Sequence, residues 1–344
     1  EELLTQFEEE TGIDLVYDVF DSNEVLETKM LAGGSGYDVV VPSGTFLQRQ
    51  ITAGAFQKLD KSKLPNLDNM WEVVRDRTEV YDPGHEYAIN YMWGTTGIGV
   101  NVGRVQEILG EDAPINSWSL VFEPENMEKL ADCGVHFLDA PAEMIPAALN
   151  YIGEDPDSHD PDVIAMAEDV FMPVRPHIQK FHSSEYIDAL ANGDICVAVG
   201  WSGDILQARD RAAEADAGVS VEYIIPKEGA LMWYGNEIAY HAPKEGAQMW
   251  FDMMAIPVDA PNPDAAHVFL NFIMDAENMA QASNYVYYAN GNKASQEYLN
   301  DDVINDPAIY PDEETLNNLF TTTPYPAGVQ RTVTRLWTKI KSGT

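Results

Sequence analysis

Two aromatic–carboxylate pairs stand beside apolar runs in this chain. Trp201 and Asp204 follow Ile195–Val199, and Trp250 and Asp252 lie two residues apart within Met249–Ile256. Side chains alternate along a strand, so Trp250 and Asp252 share one face. Tyr287-Tyr288 follows a third apolar stretch, and Ser43 ends the short run Val39–Val41. Singly, each of these is ordinary, because Trp and Tyr fill cores and Asp caps turns. Together they suit a flexible cation with an apolar middle. An ammonium taken out of water must meet carboxylates and hydroxyls, since an unpaired buried charge is prohibitively costly. Aromatic faces add ~0.5–2 kcal/mol each by cation–π attraction. They also cover methylenes at ~0.8 kcal/mol per CH₂, so a four-carbon diamine gains about 3 kcal/mol from its chain.

Other chemistries fit less well. Gly200-Trp-Ser-Gly-Asp204 departs from the nucleophile elbow G-x-S-x-G, because Asp stands where the second Gly belongs. The acidic stretch 154–162 lacks the central Gly and terminal Glu of a calcium loop, and reads as a solvated loop. Gly33-Gly34-Ser35-Gly36 has no following Lys and precedes a strand-like run, so it is no phosphate cradle. The seven His are scattered, and the two cysteines, Cys133 and Cys196, form no C-x-x-C, so no metal site is expected. Those cysteines are open to two readings, a buried thiol pair or one disulfide.

The chain of 344 residues carries 57 acidic against 20 basic side chains, a net charge of −37, yet is 45% hydrophobic. That apolar content builds a core, which a disordered polyanion lacks. The charge argues against nucleic acid and anionic lipid as partners. Most of it reads as a solvated, salt-adapted surface with mild steering of cations. No run of about 18 apolar residues is present to span a membrane. No signal-peptide pattern opens the chain, so its start reads as processed or clipped.

These residues must be positioned by alternating helices and short strands. Helices are predicted over 2–10, 24–32, 184–191 and 263–275, and strands over 13–20, 37–41, 95–102 and 195–199. The class is α/β, where ligands sit beyond the carboxyl ends of strands. The chain's length suits two lobes. One repeat occurs: Pro226-Lys-Glu-Gly-Ala-Leu-Met-Trp233 recurs seventeen positions later as Pro243-Lys-Glu-Gly-Ala-Gln-Met-Trp250. A single short duplication is no solenoid, and 226–242 reads as a surface insertion.

Long segments throughout, among them YDVFDSNEVLE, RQITAGAFQKLDKSKLPN, YMWGTTGIGVN, CGVHFLDAP, FHSSEYI, LANGDICVAVGWSGD and WTKIKSG, resemble the periplasmic polyamine-binding proteins of ABC importers. The putrescine-binding type is the most similar. The resemblance implies a type II periplasmic binding protein, two hinge-linked α/β lobes with a ligand cleft between them. Residues 1–92 with 251–295 would form the first lobe, and 93–250 with 296–344 the second. Carried over by position, Ser43 is a hydroxyl partner, and Glu143 with Ser183 meets one ammonium. Trp201 with Asp204 and Trp250 with Asp252 supply two aromatic–carboxylate pairs, and Tyr288 closes the box. Cys133–Cys196 matches a family disulfide. The implied partners are a diamine or polyamine and a membrane permease; the implied state is a periplasmic monomer that neither inserts into the membrane nor needs a cofactor.

Three departures from the family pattern matter. The family's N-terminal strand, ending in a Trp-Ser-Asp-Tyr-like segment, has no counterpart before Glu1, which puts affinity and stability in question. The repeat interrupts the approach to Trp250, and only its second copy continues as Trp-Phe-Asp; the first places Gly235 where the Asp belongs. The first copy's Trp233, Asn236, Glu237 and Tyr240 are candidate substitutes for the lost N-terminal groups. Finally, the aromatic at 250 is more often Phe in putrescine binders and Trp in spermidine binders, whereas Phe46, Ala140 and Asp204 look like the putrescine type. The expectation is a non-enzymatic putrescine receptor. The alternatives are a spermidine-preferring binder, or a sensor or scaffold that has lost binding. An amine-acting enzyme would need a cofactor lysine, a flavin motif or a metal cluster, none of which is visible in the sequence.

Overall fold

The computed structural model describes residues 2–20, 22–215, 218–226, 233–234, 237–238 and 246–344. It divides into two compact units, Glu1–Gly94 with Trp250–Asp306, and Thr95–Met249 with Pro307–Thr344. Each is described by itself.

In the first unit, helix Glu2–Thr11 buries Phe7 edge-on against Phe269 and Phe272, with ring centroids 5.2 Å away in both cases. Phe269 and Phe272 lie on helix Pro263–Ile273, whose apolar face joins Leu59, Leu64, Ile89, Met254 and Ile256 in one core cluster. The predicted helix over 24–32 is Asn23–Ala32. Ser22 Oγ accepts from the Val25 N–H at its start, and Gly33 at φ 73° ends it. The segment 13–20 is not a strand. Ile13 and Leu15 pack against the core, but Val16 is 94% and Tyr17 72% exposed. Alternating hydrophobicity makes a strand only where a neighbour completes the ladder, and among the described residues none pairs with 13–20. Likewise 37–41 has a single isolated bridge, Val40 to Ala255, with Val39 and Val41 packed on the core. Strand Gln248–Ala255 alternates as expected around 250–252, with Phe251 and Met253 buried and Trp250 and Asp252 half-buried.

The second unit is built on residues 95–101 of strand Ala88–Asn101. They pair antiparallel with Val197–Trp201 on one side and Val221–Ile224 on the other. Val197–Trp201 continues in parallel to Val135–Phe137, and that strand to Lys180–Phe181. Gly97 is required by close approach, because a Cβ there would lie 2.4 Å from the Ile224 carbonyl oxygen. Helix Tyr186–Asn192 stops at Gly193, left-handed at φ 74°. Strand Val197–Trp201 runs directly into helix Ser202–Ala215, so Asp204 sits in a helix's first turn and not in a loop. Phe122, Phe137, Phe171, Phe181 and Trp337 form a chain of edge-to-face contacts. Cys133 and Cys196 are joined as a disulfide, with Cα atoms 5.6 Å apart.

Within the repeat, Trp233-Tyr234 pairs with Glu237-Ile238 as a short antiparallel ladder. Of the other inserted positions only Pro226 is described; Asn236 and Tyr240, and the side chains of Trp233 and Glu237, lie outside the described residues. In the acidic stretch, Asp160 caps helix Pro161–Val174, and Asp157 accepts the Thr323 N–H at 2.6 Å. Among the described residues no group of three or more His, Cys, Asp and Glu is placed to hold a metal ion, and no helix is long and apolar enough to cross a membrane.

Candidate functional site

In the first unit the site residues gather around Asp252. Ser43 opens helix Gly44–Thr52, but its hydroxyl makes no capping bond to that helix. It donates instead to Asp252 Oδ1 at 2.9 Å and accepts from Asn23 Nδ2 at 3.0 Å. Asn23 Oδ1 in turn accepts the Ser43 backbone N–H at 2.9 Å. The two backbones also form an antiparallel bridge, Ser43 to Asp252, and Asn90 Nδ2 donates to the Asp252 carbonyl at 3.1 Å. Gly44 permits the turn, since a Cβ there would stand 2.5 Å from the Tyr81 ring. Trp250 and Tyr288 meet edge to face, with centroids 5.2 Å apart. Tyr288 is delivered by Tyr287, which ends helix Ala276–Val286 in a left-handed conformation at φ 58°. Burial, with smaller contributions from Tyr17 and the Asp252 charge, pushes the Tyr91 hydroxyl up to about 12. Tyr91 therefore stays a neutral phenol beside this carboxylate.

In the second unit two carboxylates are tied together through one tryptophan. Glu143 stands in the first turn of helix Pro141–Tyr151, where the helix dipole favours an anion. Its Oε2 accepts from Thr96 Oγ1 and, at 2.7 Å, from the Trp201 indole N–H. Thr96 and Trp201 are cross-strand partners, which places both donors on the same carboxylate. The Trp201 backbone N–H donates to the Tyr186 hydroxyl at 3.2 Å, and that hydroxyl donates to Asp204 Oδ2 at 2.9 Å. Tyr186 is fully buried, and burial first, then the Asp204 charge, holds its hydroxyl well above the usual phenol range. It remains a donor at any physiological pH.

The structure thus brings Ser43, Asp252, Trp250 and Tyr288 together in one unit, and Glu143, Trp201 and Asp204 in the other. Ser183 is half-buried in the bend before helix Tyr186–Asn192, and among the described residues no hydrogen bond joins it to Glu143 or Asp204. Sequence reasoning missed Asn23, Thr96 and Tyr186. Asn23 and Tyr186 sit in stretches that read as helix ends, and Thr96 in a plain β run. Their partners are 20, 47 and 18 residues away, beyond any local periodicity.

Residues 2–311 match the family described as bacterial extracellular solute-binding protein. The chain is 53% identical over 340 residues to the putrescine-binding periplasmic protein SpuD of Pseudomonas aeruginosa, spanning 99% of this chain and 88% of that protein. It is 49% identical over 341 residues to the putrescine-binding periplasmic protein PotF of Escherichia coli, spanning 99% and 88%. Among solved structures, a putative spermidine/putrescine ABC transporter protein from Listeria monocytogenes superposes with a TM-score of 0.81 at 30% identity, covering 99% of this chain and 94% of that one.

Proposed function

The chain belongs to the bacterial extracellular solute-binding protein family, and we propose that it is a periplasmic receptor that binds putrescine and delivers it to the membrane permease of an ABC importer. Two relatives at 53% and 49% identity are named for putrescine binding in the periplasm. Such relatives are transport binding proteins and not enzymes; this chain accordingly holds its ligand without altering it.

The observation that carries the reading is the pre-ordered acid–aromatic set in each unit. Asp252 with Trp250, Tyr288 and Ser43 has the groups one ammonium end and its methylenes require. Glu143 and Asp204 with Trp201 repeat that chemistry, and Ser183 adds a hydroxyl. Each carboxylate is held by neutral donors, Ser43 on Asp252, Trp201 and Thr96 on Glu143, and Tyr186 on Asp204. Hydrogen bonds from these donors fix the orientation of each carboxylate. Order present before binding spares the entropy of fixing these side chains.

Spermidine is the second reading, favoured by Trp250 at a position where the resemblance associates Trp with spermidine binders. Titration calorimetry with putrescine, spermidine and agmatine tests both. Putrescine is expected to bind tightest. Tighter binding of spermidine would select the second reading, and no heat from any of the three in a folded sample would overturn the receptor function.

A further inference from the structure

Tyr186 is not among the residues expected to meet the ligand, yet its hydroxyl joins two of the site's residues. It donates to Asp204 Oδ2 at 2.9 Å and accepts the Trp201 backbone N–H at 3.2 Å. Its ring is fully buried, so the hydroxyl has no water to fall back on and must use these partners. The ring reaches them only because position 200 is glycine. A Cβ at Gly200 would lie 2.6 Å from Tyr186 Cε2 and 2.9 Å from Cζ. Gly200 has an ordinary backbone conformation, so its lack of a side chain serves space and not a turn.

We infer that Tyr186, seated against Gly200, is a positioning residue for polyamine binding: it fixes the Asp204 carboxylate and the end of the Trp201 strand relative to one another. This rests on the receptor reading above. By occupying Oδ2, the tyrosine fixes the rotation of the carboxylate. By accepting the Trp201 N–H, it anchors the residue whose indole holds Glu143. One buried hydroxyl therefore sets the geometry of two carboxylates that lie 61 residues apart in the chain.

The test is a double-mutant cycle read by putrescine calorimetry on the full chain. Tyr186→Phe keeps the ring and removes the hydroxyl, and is expected to weaken putrescine about tenfold, as loss of a hydrogen bond to a charged group does. In an Asp204→Asn background the same change should cost distinctly less, because one of the two carboxylates it positions is gone and only the anchor on Trp201 remains. Gly200→Ala keeps the hydroxyl but drives the ring, and the hydroxyl with it, aside; it should weaken binding in the wild-type background and distinctly less in Asp204→Asn. That second variant carries the test should Tyr186→Phe not fold. An equal loss in both backgrounds, or unchanged affinity in either single variant, would overturn the assignment. Failure of the wild-type protein to bind putrescine would overturn the receptor reading itself, and is scored separately in the same series.

Discussion

Ser43 holds Asp252 twice, by an antiparallel backbone bridge and by a hydroxyl bond of 2.9 Å to Oδ1. A serine before a helix ordinarily spends its side chain on the helix N-terminus. Here the Ser43 hydroxyl turns to the carboxylate, while Asn23 brackets Ser43 by donating to that hydroxyl and accepting its backbone N–H.

Removing the charge at the centre of this arrangement tests its role. Asp252→Asn is expected to weaken putrescine at least about tenfold, the minimum for losing a charge-assisted contact to an ammonium. Ser43→Ala should cost about two- to fivefold, because it loosens the carboxylate without neutralising it. Calorimetry on both variants checks the order; equal affinity of Asp252→Asn and wild type would remove Asp252 from the site.

Trp201 has two separable functions. Its ring offers an aromatic face, and its indole N–H holds Glu143 at 2.7 Å. Trp201→Phe keeps a face and loses the donor, so about a threefold to tenfold weakening is expected. Trp201→Ala loses both and should bind distinctly more weakly than Trp201→Phe. If the two variants bind alike, the ring contributes nothing beyond the donor.

The Cys133–Cys196 disulfide closes a stretch of sequence separation 63. Loop-closure entropy for that length is worth about 4 kcal/mol. Cys133→Ala with Cys196→Ala should therefore lower the thermal midpoint clearly, and a reductant should do the same to wild type but not to the double variant. The melting curves, with and without reductant, decide it.

Burial lowers the pKa of both His85 and His136, outweighing nearby carboxylates. The folded protein then resists protonation at these two sites while the unfolded chain takes up protons near about 6.5. Their contribution to stability is present above that value and is lost as pH falls through it. His136 Nδ1 is buried without a partner, so His136→Leu breaks no bond at that nitrogen. Urea unfolding at pH 8 and pH 5.5 should show a smaller acid loss for His136→Leu than for wild type. An identical pH dependence would contradict the assignment.

Much of the site was legible as residue types beside apolar runs. Trp250 and Asp252 follow from strand alternation alone, and the structure keeps both half-buried in alternation with the buried Met249, Phe251 and Met253. Trp201 and Asp204 were legible as neighbours of a buried strand, but not as the last strand residue and the first turn of a helix. The α/β class, the family and the paired acids and aromatics were determined by the sequence itself, because each is written in contiguous residues. Tertiary structure alone decided that 13–20 forms no strand, that Ser43 turns from its helix to Asp252, and that Thr96 and Tyr186 hold the acids. The reason is common to all three. A ladder partner or a hydrogen bond to a distant side chain leaves no periodic trace in the chain, and exists only once folding has brought the two segments within about 3 Å.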